Sequence, residues 1–151
     1  SGTVSSGSYP LEIRKLYPDI VVSGEACPMW VPLVENYEYD SPGADYFVEK
    51  RIGNLLRKDP AIDTIVLGCT HYPLLLNKIL KYTPRNVCIV PQGEYVAYSL
   101  KDYLQRHTEI ETLCTQSGTC RFLTTESPDK FMESASIFLR QHVEAERVVL
   151  E

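Results

Sequence analysis

The sequence has no apolar stretch long enough to cross a membrane. Runs such as Ile65-Val66-Leu67 and Leu74-Leu75-Leu76 fall far short of the roughly 20 residues a spanning helix needs. It has no surplus of positive charge either: 15 Lys and Arg stand against 20 Asp and Glu, a formal charge of −5. Nucleic acid and anionic membrane surfaces are poor partners for such a chain, because both need clustered cations. The opening residues Ser1-Gly2-Thr3-Val4-Ser5 are small and polar, without the basic and apolar regions of a secretory signal. The five cysteines, Cys27, Cys69, Cys88, Cys114 and Cys120, are odd in number and include no C-x-x-C pair. A disulfide framework and a structural zinc site are both disfavoured, and Cys114-x5-Cys120 does not replace a paired ligand spacing. The economical expectation is a reduced, cytosolic thiol set, most of it packed as small core hydrophobes.

What is present is a globular composition, 44 % hydrophobic and 23 % charged, which excludes wholesale disorder. The length of 151 residues suits one domain or two small lobes. Short β-branched runs predict strands at Ile20-Val21-Val22, at residues 62–68, at residues 86–90 and at residues 121–125, with a last strand at Val148-Val149-Leu150. Helices are expected between them. Ser41-Pro42-Gly43 caps and opens one that runs to Lys58, with Tyr46, Phe47, Ile52, Leu55 and Leu56 on its apolar side. Others are read over Leu74–Leu80, Glu94–Arg106 and, after the Ser127-Pro128 start signal, to about Leu139. Pro28 and Pro32 make residues 26–35 a loop that settles into a short helix after Pro32. Residues 1–9 read as loop. Strands alternating with helices through short connections give an α/β class, with a mainly parallel sheet flanked by helices. In such sheets, ligands bind where strands end at their carboxyl ends.

One strand end carries chemistry. In Thr64-Ile65-Val66-Leu67-Gly68-Cys69-Thr70-His71-Tyr72-Pro73, a buried strand delivers Cys69 to its carboxyl end, and Gly68 lets the backbone turn there. A helix is expected directly afterwards, and its N-terminal amides would stabilise a thiolate. His71 is two residues on, close enough to hydrogen-bond the thiol or exchange a proton with it. Thr70 offers a hydroxyl and an amide to a carboxylate. The plain alternative is a tight structural turn with a capping histidine. A metal site lacks third and fourth ligands at any familiar spacing, so no metal is expected.

Here the sequence resembles a known family. Gly68-Cys69-Thr70-His71-Tyr72-Pro73-Leu74 is similar to the second cysteine signature of the bacterial glutamate racemases. Residues 25–35, Glu-Ala-Cys-Pro-Met-Trp-Val-Pro-Leu-Val-Glu, resemble the family's A-C-P-x-x-V-P-L-V-E segment, and Gly2-Thr3-Val4-x-Ser6-x-x-Tyr9 resembles its G-T-x-x-S-x-x-Y segment. All three occur in the family's order.

The resemblance implies a racemase with two pseudo-symmetric α/β lobes, glutamate bound between them, and no cofactor. It makes Cys69 the acid/base on one face of the substrate α-carbon and His71 its assistant. It makes Thr70 a substrate-carboxylate contact, Thr3 a substrate-binding threonine, and Glu35 a glutamate close to the substrate; as a plain residue, Glu35 is equally a surface or capping acid. Cys27 is read as packing. The family's first cysteine motif and its early Asp-Ser pair have no counterpart here, and Pro91-Gln92 replaces a later Asp-Ser. The chain is therefore expected to be the C-terminal part of such an enzyme. Residues 1–91 would form most of the second lobe and residues 92–151 would complete the first. Its partners would be glutamate, the N-terminal half and a second copy in a homo-oligomer. D-Glutamate for peptidoglycan, made in the cytoplasm, would be the product. Two other classes stay open: a thiol hydrolase or transferase with Cys69 as nucleophile and His71 as base, and a non-catalytic module that binds a small acid.

Overall fold

A computed structural model describes residues 2–150 of the chain. They fall into two compact units, Ser1–Ser99 and Leu100–Glu151. The order of elements is helix α1 (Gly2–Ser5), α2 (Ser8–Leu16), α3 (Trp30–Glu35), α4 (Pro42–Lys58), strand β1 (Thr64–Leu67), a 3-10 turn (Tyr72–Leu75), α5 (Leu76–Tyr82), β2 (Cys88–Pro91), α6 (Gln92–Arg106), α7 (Thr108–Glu111), β3 (Phe122–Thr124), α8 (Pro128–Leu139) and β4 (Ala145–Arg147). The class is α/β with parallel pairing throughout: β1 pairs with β2 and β3 with β4, each as a two-stranded sheet.

The first unit is built on α4. Ser41 accepts the Ala44 amide on its hydroxyl at 3.2 Å, and Pro42 occupies the first turn, where a missing N–H costs nothing. Ala44, Val48 and Ile52, four residues apart, form its buried stripe. Across that stripe lies α5, whose Ile79 is fully buried. Asp45 clasps the two helices together, accepting from Lys78 at 2.6 Å and from Lys81 and Tyr82 at 2.8 Å each. On another side of α4, Glu25 accepts from Arg51 at 3.0 Å and Asn54 at 3.3 Å and pairs with Lys58 at 2.6 Å. Burial alone would raise the Glu25 carboxyl, but these bonds and the Lys58 charge outweigh it, and its pKa is lowered. The irregular segment before α3 is thereby tied to α4.

Several expectations change. Residues 2–5 and 8–16 are helical rather than loop, and Ser1 lies outside the described residues. Ile20-Val21-Val22 forms no strand, with Val21 78 % exposed. A β-branched run records a preference for a pleated surface, and without a neighbouring strand it stays irregular. The short helix α3 begins at Trp30, ahead of Pro32, because a proline is tolerated in a first turn. Leu74 and Leu75 belong to the 3-10 turn, and α5 starts only at Leu76.

In the second unit α8 returns the chain from β3 to a parallel β4, a right-sized crossover. Ser127 stands at the start of α8 but makes no side-chain capping bond. The last strand is Ala145–Arg147 rather than 148–150; the Val148 amide still donates to Thr124 O at 2.9 Å, and Val149 and Leu150 lie exposed. The pairing register with β3, not the apolar run, decides where the strand sits.

Candidate active site

β1 and β2 run parallel and end together, with Leu67 opposite Pro91. Gly68 and Gln92 thus occupy equivalent places just past the two carboxyl ends. From β1 the chain turns sharply: the Tyr72 amide donates back to Cys69 O at 3.2 Å and the Leu74 amide to His71 O at 3.1 Å. This turn folds His71 back onto the thiol, with Cys69 Sγ 3.8 Å from His71 Nδ1.

A second element supplies a carboxylate. Trp30, 2 % exposed, donates its indole N–H to Phe47 O at 3.3 Å and meets Tyr72 edge-on at 4.8 Å between ring centroids. Pinned between α4 and the 3-10 turn, α3 carries Glu35 at its last position to within 3.5 Å of His71 Nε2. Cys69, His71 and Glu35 therefore form a line in which one ring nitrogen faces the thiol and the other faces the carboxylate. A carboxylate there fixes the ring's orientation and supports a proton on Nε2, leaving Nδ1 free to take or give one at the thiol. The thiol and imidazole are half-buried and Glu35 is exposed, so solvent reaches the far end of the line.

The helix expected to stabilise a thiolate is shorter than the sequence suggests. A four-residue 3-10 turn follows Cys69, and it adds little dipole. The imidazole is the nearer influence. Thr70 lies exposed beside Cys69. Thr3 sits exposed on α1, where its carbonyl accepts from the Ser6 hydroxyl at 3.0 Å. Cys27 is buried, as a packing residue should be, and burial pushes its thiol up to about 12. Cys88, Cys114 and Cys120 are exposed, against the expectation that most of the thiols are core. Two residues at the strand ends escaped the sequence reading of the site, Tyr9 and Gln92: the Gln92 amide donates to the Tyr9 hydroxyl at 2.6 Å. The only sequence signal was the fixed spacing of Tyr9 behind Gly2-Thr3. Among the described residues, no group of three or more His, Cys, Asp or Glu is arranged to hold a metal ion.

No family model matches the chain. Individual proteins do. The glutamate racemase of Thermoanaerobacter sp. (strain X514) is 37 % identical over 142 residues, which is 94 % of this chain and 52 % of that protein. That of Streptococcus pyogenes serotype M1 is 36 % identical over 148 residues, 98 % of this chain and 55 % of its own length. The chain is a homologue of glutamate racemases. It spans about half the length of the curated relatives it matches. The crystal structure of glutamate racemase isoform RacE1 from Bacillus anthracis superposes with a TM-score of 0.86 at 30 % identity, covering 99 % of this chain and 55 % of that one. The glutamate racemase from Francisella tularensis in complex with D-glutamate gives 0.82 at 26 % identity, with the same coverage. The racemase-like fold thus runs through both units, and with it the α/β class read from the sequence.

Proposed function

We propose that this chain is the C-terminal part of a glutamate racemase and that Cys69 is one of two thiols that move the α-proton. The observation that carries this reading is the line of Cys69, His71 and Glu35 at the carboxyl end of β1, in a chain homologous to racemases. Inverting a stereocentre through a planar intermediate needs a base on one face and an acid on the other. As thiolate, Cys69 takes the α-proton of L-glutamate, and the C–H electron pair stays on the α-carbon. A thiol on the opposite face then donates its proton to that carbon and gives D-glutamate. With D-glutamate as substrate the roles reverse. Thiol chemistry of this kind needs no cofactor. His71 exchanges the proton with Cys69, Glu35 orients the imidazole, and Thr70 and Thr3 contact the substrate. Residues 1–91 supply the second lobe and residues 92–151 complete the first. The product serves peptidoglycan synthesis in the cytoplasm.

On this reading the 151-residue chain alone does not racemise glutamate, because it carries one of the two proton carriers. The test uses the complete protein in deuterated water. Deuterium enters the α-carbon with either enantiomer, and His71→Asn lowers kcat/KM by about 10²–10⁴-fold, the usual size of a general acid–base contribution. Both directions fall together, since the equilibrium between enantiomers cannot move. Racemisation by the isolated chain would overturn the two-thiol reading. A covalent acyl adduct on Cys69 without deuterium uptake would replace it with a thiol hydrolase or transferase.

A further inference from the structure

The turn that carries Cys69 has a glycine at its base and therefore no side chain of its own to anchor it. Tyr9 packs against that place. A β-carbon built on Gly68 would stand 3.3 Å from Tyr9 Oη, 3.5 Å from Cζ and 3.6 Å from Cε2, so the phenol lies against the spot where a side chain would begin, with its hydroxyl the tightest contact. The phenol is itself held: Gln92, the first residue of α6, donates its side-chain amide to the Tyr9 oxygen at 2.6 Å. Gly68 leaves β1 and Gln92 leaves β2, at equivalent points of two parallel strands. One ring from α2 therefore ties both strand ends together next to the thiol.

We propose that Tyr9, latched by Gln92, is a positioning residue for the Cys69 turn. It acts through Gly68, keeping the turn in the shape that brings Cys69 Sγ within 3.8 Å of His71 Nδ1. The proposal rests on the reading of Cys69 as a proton carrier assisted by His71. A ring that merely fills space would tolerate loss of its hydroxyl. A latch would not, because the hydroxyl is what Gln92 holds.

The experiment measures iodoacetamide labelling of each cysteine in the 151-residue chain by mass spectrometry between pH 6 and 9. Exposed Cys114 and Cys120 serve as internal standards, and protection of buried Cys27 reports the folded state. The groups facing the Cys69–His71 pair are Glu35 from α3 and Tyr72 from the 3-10 turn. In the unaltered chain Cys69 labels at its own rate relative to the standards at each pH, and His71→Asn, which removes the ring nitrogen facing the thiol, changes that rate. Tyr9→Phe and Gln92→Leu cut the same bond from opposite ends. Both move Cys69 toward the His71→Asn profile, with a change of about 2- to 10-fold in its rate relative to the standards, the scale of one neutral hydrogen bond. Gly68→Ala shifts the profile in the same way, and Tyr9→Phe in that background adds nothing further, because removing the hydroxyl makes room for the new methyl.

If Tyr9→Phe and Gln92→Leu keep the unaltered Cys69 profile while His71→Asn changes it, the latch is wrong and the Cys69–His71 pairing stands. If His71→Asn also changes nothing, the pairing fails and the latch fails with it.

Discussion

The two units of the chain hide their apolar side chains to very different degrees. Among the described residues, Cys27, Trp30, Val34, Ala44, Val48, Ile52, Ile65, Leu67, Leu75, Ile79 and Val87 are buried in the first unit, and only Val143 is buried in the second. Both units expose large apolar side chains, Leu16, Tyr17, Val21 and Tyr98 in the first and Leu113, Leu139, Val149 and Leu150 in the second, so the difference lies in what is buried. The first can fix a site because its helices are pinned by their own core: Trp30 sets α3, and α3 sets Glu35 against His71. A unit of about fifty residues with one buried side chain has little to set against its conformational entropy. The structure thus separates a part whose core holds the candidate site from a part with almost no core of its own.

The sharpest way to break this contrast is to label the thiols. Cys27 of the first unit is buried with its thiol pushed up to about 12, whereas Cys114 and Cys120 of the second are exposed. Only the thiolate reacts, and an ordinary thiol ionises near ~8.5, so Cys27 should alkylate at least ~10³-fold more slowly at neutral pH. Comparable rates for Cys27 and Cys114 would mean that the first unit opens as readily as the second.

Core truncation tests the same contrast as stability. Ile79→Ala removes a fully buried side chain between α4 and α5 and should cost about 2–5 kcal/mol by urea unfolding. Leu123→Ala on β3, where the side chain is 49 % exposed, should stay within about 0.5 kcal/mol. Equal costs would show that the second unit has a core of its own.

The contrast also explains which parts were legible in the sequence. The capped helix α4 and the strand–turn carrying Cys69 follow from local signals, Ser41-Pro42 and the apolar run into Gly68, which their tertiary surroundings support. The family resemblance put Glu35 near the substrate but not beside His71, because the two lie 36 positions apart and are brought together by tertiary packing in which Trp30 meets Tyr72. The failures lie where a local preference has no partner to realise it. Ile20-Val21-Val22 finds no neighbouring strand, and the apolar end at Val149 and Leu150 runs past the register that β3 allows. Cys88, Cys114 and Cys120 were judged by the usual burial of cysteine, which says nothing about whether a core exists to bury them. Tyr9 stood in a recognised segment, but its place in the site went unread because it depends on the absence of a side chain at Gly68, 59 positions away.

The smallest expected effect compares one ionic contact from each unit. Asp45 in the first accepts hydrogen bonds from Lys78, Lys81 and Tyr82, and these hold its carboxyl well below the usual range. In the second, Arg121 and Glu146 meet at 2.9 Å with side chains 70 % and 63 % exposed, a surface pair screened by water. A carboxylate whose folded pKa is depressed stabilises the fold above its unfolded pKa, roughly 3.9 for Asp. That contribution fades as pH falls below this value toward the folded pKa, because the proton then binds the unfolded chain first. Asp45→Asn should therefore lower the urea midpoint at pH 7 and at pH 5, and its difference from the unaltered chain should narrow by pH 3. Glu146→Gln should leave the midpoint nearly unchanged at all three. A gap for Asp45→Asn that is as wide at pH 3 as at pH 7 would mean that the clasp between α4 and α5 works through packing, and that charge adds nothing to what the core of the first unit already holds.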